Sequence, residues 1–119
     1  MSRVLVVDDN RELADDLAEI LTGEGHEARV AYGGPDALEV ASTFPFDAAL
    51  VDIRMPDMDG VALVQRLMSE RPASSYMFMT GYSSERSLSE AAAIAQRAVL
   101  YKPLDIDRVL RLVAASGNG

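Results

Sequence analysis

The sequence predicts an α/β protein built on a doubly wound, five-stranded parallel sheet in the order 2-1-3-4-5, with five helices. Three observations lead there. Five short apolar or β-branched runs alternate with stretches of helical periodicity along 119 residues, and strict β–α alternation implies parallel strands joined by right-handed crossovers. Three of the runs (VLVV, AALV and MFM) are apolar at successive positions, as strands covered by helices on both faces must be. The length allows one domain, large enough to enclose a full core without disulfides or structural metal.

The first strand is expected over residues 3–7. In the helix after it, Leu13, Leu17, Ile20 and Leu21 fall at i, i+4, i+7 and i+8. Asp9 or Asn10 is placed to cap that helix, Asp9 with Glu12 mimicking a capping box, and Gly23 and Gly25 close it. The second strand is expected over 27–32. Gly33-Gly34 then precede Pro35, at the position where a helix favours proline, and Leu38 with Ala41 mark its apolar side. A third strand over 47–51 leads to a helix carrying Val64, Leu67 and Met68, and a fourth strand covers 76–80. The fourth helix, over 84–95, is Ala-rich, with Leu88 and Ile94 as its larger apolar residues. The fifth strand, 98–102, precedes a last helix with Ile106, Val109, Leu110 and Val113 on one stripe. The domain is expected to occupy 1–116, with 117–119 as a tail or linker stump.

Composition excludes several functions. Eleven Lys and Arg against 19 Asp and Glu give a net charge of −8, which opposes gripping a phosphate backbone. The absence of cysteine removes thiol catalysis, Cys-ligated zinc and disulfides. A single histidine, His26, supports no multi-histidine metal site, and its Gly25-His26-Glu27 setting predicts a solvated loop residue. No apolar run reaches the ~18 residues of a membrane span, and the N-terminus lacks a secretory pattern. A soluble, cytoplasmic domain is expected.

In an open α/β sheet, ligands bind beyond the carboxyl ends of the strands, where the strand order reverses. Asp8 and Asp9 leave the first strand and Asp52 the third, Thr80-Gly81 end the fourth, and Lys102-Pro103 end the fifth. Each has a plain structural explanation when taken alone: a helix cap, a polar loop start, a solvated lysine. Together they set three carboxylates, a hydroxyl and an ammonium at one sheet edge. Carboxylates so crowded repel one another unless a cation intervenes, and an all-oxygen donor set points to Mg2+. Other motifs fail. Asp57-Met58-Asp59-Gly60 would need Met55 and Arg66 as calcium ligands, and no P-loop or dinucleotide fingerprint occurs. Met77 and Met79 read as core filler.

From VLVVDDN through LVDIRMPDMDG and MTGY to YKPLDIDRVLRLV, the chain resembles the receiver domain of two-component response regulators, the CheY-like family. The resemblance implies a flavodoxin-like three-layer sandwich. It implies Asp52 as phosphoacceptor, and a metal site of Asp8, Asp9, Asp52 and the Arg54 backbone carbonyl, with Asp8 holding metal-bound water. The ion would be Mg2+, with Mn2+ as an alternative. Thr80 and Lys102 are implied as the phosphoryl-stabilising and switch residues, and Pro103 as a cis-proline. The implied partners are a sensor histidine kinase or phosphotransfer protein, a downstream output domain or protein, and a second copy through the fourth and fifth helix region. Direct nucleic-acid or membrane binding is not expected.

Two departures stand out. The family's switch aromatic, three residues before the lysine, is Val99 here, and Tyr101, on the same strand face, is expected to substitute for it in part. The family's Gly-Ala before the fifth strand is replaced by Ala95-Gln96-Arg97-Ala98. Arg54 and Tyr82 occupy positions that in this family modulate phosphate lifetime. The implied function is a phosphorylation-activated switch that catalyses its own phosphorylation and slow dephosphorylation, and is not an enzyme in the turnover sense. Two alternatives stay open. One is a phosphorylation-independent protein-binding module. The other is a Mg2+-dependent phosphoaspartate hydrolase, against which Asp52-Ile53-Arg54 lacks the second acid of a D-x-D motif.

Overall fold

The computed structural model describes residues 1–81 and 98–116. The predicted helix over 84–95, Tyr82, residues 95–97 and the tail 117–119 lie outside them. Along the described chain run β1 (Arg3–Val7), α1 (Arg11–Gly23), β2 (Glu27–Ala31), α2 (Gly34–Ala41), β3 (Ala48–Asp52), α3 (Gly60–Glu70), β4 (Ser75–Thr80), β5 (Val99–Tyr101) and α4 (Ile106–Ser116). The five strands form one parallel sheet in the order β2-β1-β3-β4-β5, as predicted.

Side-chain alternation divides the core. Leu5, Val7, Ala49, Val51 and Phe78 face one way and pack under α2 and α3, against Ala37, Leu63, Val64 and Leu67. Val4, Val6, Leu50, Met77, Met79 and Leu100 face the other way, under α1 and α4, against Leu17, Leu21, Val109 and Val113. β1, β3 and β4 are therefore buried on both faces, which is why their sequences are apolar without alternation. Edge strand β2 alternates exposed and partly buried positions.

Local chemistry sets the boundaries. Asn10, not Asp9, caps α1, its side-chain oxygen accepting the Leu13 N–H at 3.2 Å. Gly25, at φ +90°, turns the chain after that helix, a conformation that favours glycine. β2 stops one residue early because the Tyr32 N–H is taken by the Asp36 carboxylate at 3.2 Å. β3 begins and ends one residue later than expected, so that Asp52 itself pairs with Met79 in the ladder.

His26 corrects the expectation of a solvated loop residue. It is partly buried, and its Nδ1 accepts the Ser2 N–H at 3.0 Å. Ser2, fully buried, donates its hydroxyl to the Val113 carbonyl at 2.9 Å. The histidine thus helps to fasten the N-terminus against α4, a contact across the fold that local sequence does not signal. Among the described residues no helix is long and apolar enough to cross a membrane.

Candidate functional site

The pocket lies at the C-terminal edge of the sheet, beside the β1/β3 switch point. Asp8 and Asp9 follow β1, Asp52 closes β3, Thr80 closes β4 and Lys102 follows β5. One carboxylate oxygen from each of Asp8, Asp9 and Asp52 lies within 4.8 Å of the others. Asp8 is fully buried, Asp52 is 7% exposed and Thr80 2%, whereas Asp9 sits exposed at the rim.

Each buried acid is held by backbone as well as by charge. The Asn10 N–H donates to Asp8 Oδ1 at 3.0 Å, and the Arg54 N–H donates to Asp52 Oδ1 at 3.2 Å. Their other oxygens face the lysine: Lys102 Nζ donates to Asp8 Oδ2 at 2.7 Å and to Asp52 Oδ2 at 3.3 Å. The Lys102–Pro103 peptide bond is cis. Thr80 Oγ1 is buried and has no hydrogen-bond partner among the described residues.

Electrostatics show what this arrangement favours. Burial, and next the charge of Asp8, push the Asp52 carboxyl up to about 6 from 3.8, against the opposing pull of Lys102 and the Arg54 N–H. Burial alone would lower the Lys102 ammonium, but its hydrogen bond to Asp8 and the charges of Asp52 and Asp8 outweigh it, and its pKa is raised. Three carboxylates against one ammonium leave a formal charge of −2, concentrated where water is largely excluded. An all-oxygen, doubly negative cluster with a half-open rim suits a divalent cation that keeps part of its water shell. The donor set therefore fits Mg2+. The unpartnered Thr80 hydroxyl, one strand from Asp52, suits a further oxygen-bearing group.

The structure thus brings together Asp8, Asp9, Asp52 and Lys102, with Thr80 at the neighbouring strand end. Val99 packs against the core on the α2/α3 side, while Tyr101 is 60% exposed. Sequence reasoning discounted the Asp57-Met58-Asp59-Gly60 loop as a calcium motif and gave its acids no other role; Asp57 reaches from the β3–α3 loop to the Gly34 N–H at 3.3 Å, and Asp59 caps α3 through the Val61 N–H at 2.7 Å. The adjacent glycines before Pro35 were the available signal, since paired glycines at a helix start mark a close approach. At Gly60 a Cβ would collide with the Asp52 backbone carbonyl, so this glycine is required where the loop closes back on β3.

An acidic pocket closed by a strand-end lysine, at the switch point of a 2-1-3-4-5 sheet, is the arrangement of a receiver-type α/β protein. The response regulator receiver domain model matches residues 4–114, and the chain belongs to that family. It is 42% identical over 112 residues to a response regulator receiver protein of Anaeromyxobacter sp. (strain Fw109-5), covering 94% of this chain and 47% of that protein. It is 38% identical over 106 residues to the transcriptional regulatory protein ZraR of Salmonella typhimurium, covering 89% of this chain and 24% of ZraR. The chain thus spans about half or a quarter of the length of these relatives. The crystal structure of a CheY-like receiver domain protein from Methanospirillum hungatei superposes with a TM-score of 0.91 at 28% identity, covering 99% of this chain and 94% of that one.

Proposed function

We propose that residues 1–116 act as a phosphorylation-activated switch, taking a phosphoryl group onto Asp52 from a sensor histidine kinase or phosphotransfer protein. The observation that carries this reading is the buried Asp52 carboxylate, 3.3 Å from the Lys102 ammonium, beside Asp8, Asp9 and the unpartnered Thr80 hydroxyl.

Asp52 is the nucleophile. Although its carboxyl is pushed up to about 6, the nucleophilic carboxylate is the form that reacts at neutral pH. An oxygen of Asp52 attacks the phosphorus in line. The P–N bond of the phosphohistidine breaks as the P–O bond forms, and the imidazole leaves with the bonding electron pair. Asp9, Asp52 and the Arg54 backbone carbonyl would hold Mg2+, with Asp8 orienting bound water. When bound, the ion supplies positive charge to the equatorial oxygens of the transferring group. Lys102 donates to a phosphoryl oxygen as a compact point charge. Thr80 donates to another, so its hydroxyl gains a partner only after transfer. That gain biases the β4 end towards a new position, and the product is a conformation rather than a released compound.

The donor would approach beside a groove of about 310 Å3. Its floor is formed by Leu13, Leu17 and Ile20 of α1 with Pro103, Leu104 and Ile106. Acetyl phosphate with Mg2+ or Mn2+ should add one phosphoryl group by intact mass and then stop. Equal labelling of Asp52→Ala would overturn the assignment, and continued turnover of a small phosphoester would make the protein a hydrolase.

A further inference from the structure

Gly33 and Gly34 leave a notch at the start of α2, and the side chains of Asp57 and Met58 fill it. A Cβ on Gly33 would collide with the Asp57 carboxylate, and one on Gly34 would lie 2.5 Å from Met58 Cβ. Asp57 Oδ1 accepts the Gly34 N–H at 3.3 Å. Gly33, the N-cap residue of α2, has no side chain to cap it, and an anion at that end meets the positive pole of the helix. Asp57 therefore does from another loop what an N-cap side chain ordinarily does locally.

The loop so tied is the one that leaves Asp52. Its start is held by the Arg54 N–H on Asp52 Oδ1 at 3.2 Å. Its end is held by the Gly60 N–H on the Ile53 carbonyl at 2.8 Å and by the Asp59 cap of α3. Between these points Met55 and Met58 give apolar packing, which is not directional. Asp57 adds a directional tie to the neighbouring helix, α2.

We propose that Asp57 is a positioning residue for the Asp52 site: seated in the Gly33-Gly34 notch on the α2 N-terminus, it fixes the β3–α3 loop so that the Arg54 carbonyl is presented to the cation. This rests on the reading of the pocket as a Mg2+ site. Without the tie, the loop samples other arrangements, and apparent affinity falls by the fraction of time spent in the competent one.

The test is calorimetric Mg2+ titration of the full chain, with denaturant melts in EDTA alongside. Asp57→Ala should weaken Mg2+ binding about tenfold, the lower end of what outer partners of metal ligands contribute. Asp57→Asn, which keeps an oxygen acceptor of the same size, should restore affinity to within about threefold of wild type. Gly33→Ala should weaken binding as Asp57→Ala does, and the double variant should be no weaker than either, since both remove one contact.

A simple helix cap would lower the melting midpoint of Asp57→Ala and leave Mg2+ affinity within about twofold of wild type, and that result overturns the proposal. Additive effects of Gly33→Ala and Asp57→Ala overturn it too. Should Gly33→Ala show no cooperative melt, the Asp57→Ala and Asp57→Asn pair decides alone. A wild-type protein that binds no Mg2+ would instead overturn the reading of the pocket itself.

Discussion

The Nζ of Lys102 lies 2.7 Å from Oδ2 of Asp8, a carboxylate with no solvent exposure. The shorter contact of the lysine is thus with the acid beside β1, and Asp52, at 3.3 Å, is less fully compensated. A lysine bound chiefly to Asp8 restrains the phosphoacceptor without quenching it. It is also already in place to meet a phosphoryl oxygen when one arrives.

Replacing Lys102 by Met keeps the apolar stem and removes the ammonium. Asp8 would keep its hydrogen bond from the Asn10 N–H but lose its counter-ion. Removing one partner of a buried pair costs about 3 kcal/mol or more, so the metal-free variant should unfold at markedly lower urea. Mg2+ should recover much of that loss, and its affinity should hold or tighten, because the ammonium repels the cation. The response to beryllofluoride, a phosphoryl mimic, should weaken. Urea melts and Mg2+ titrations check both halves, and a tenfold fall in Mg2+ affinity would mean that Lys102 is misassigned.

The Asp52 carboxyl also predicts a pH dependence. Its pKa is about 6 in the fold against an ordinary 3.8, so between those values the folded state binds more protons than the unfolded chain. Stability contributed by this group is therefore lost as pH rises through that window. Asp52→Asn, neutral throughout, should be more stable than wild type at pH 7 in EDTA. The gap should close steadily as the pH is lowered towards 4. Urea midpoints of both proteins at several pH values test this, and a gap that widened on acidification would carry the wrong sign.

Divalent cations should stabilise the resting domain. A ligand at 100 times its dissociation constant adds about 2.7 kcal/mol when it binds only the native state. For a domain of this length that corresponds to a rise in Tm on the order of 10 °C. Mn2+ should act in the same way, and Asp9→Ala, which removes the rim acid, should remove most of the shift. A melting temperature unchanged across saturating Mg2+ would contradict a preformed site.

How far the fold was legible follows from how local each signal is. VLVV and AALV read as two-sided buried strands because both faces of β1 and β3 meet helices. With the strands in place, the switch-point rule was enough to gather Asp8, Asp9, Asp52 and Lys102. Contacts between segments distant in sequence were not legible, because they follow from how loops settle after the sheet has formed. Asp57 reaches Gly34 across 23 positions, and Ser2 reaches His26 across 24. Nor did the pattern separate Asn10 from Asp9 as the α1 cap, since both are good capping residues one position apart.

Thr80 and Tyr101 are partners in the β4–β5 register. Phe78, two residues before Thr80, and Val99, two before Tyr101, both pack on the α2/α3 side of the sheet. By strand alternation, Thr80 and Tyr101 share that face. Thr80 Oγ1 is buried without a partner among the described residues, a state that costs roughly 1–3 kcal/mol. Thr80→Val, which keeps the shape and removes the hydroxyl, should therefore leave the resting domain equally stable or more so. It should also abolish the response to beryllofluoride, since no donor remains to reach the new oxygen. Tyr101, 60% exposed, has room to move beside a Thr80 that shifts. Tyr101→Ala should accordingly leave Mg2+ binding intact while diminishing the beryllofluoride-induced amide shifts at Val99, Leu100 and Leu104. Unchanged shifts in Tyr101→Ala would leave the ring as a surface residue with no part in switching, and Val99 as a site where this chain does without the aromatic.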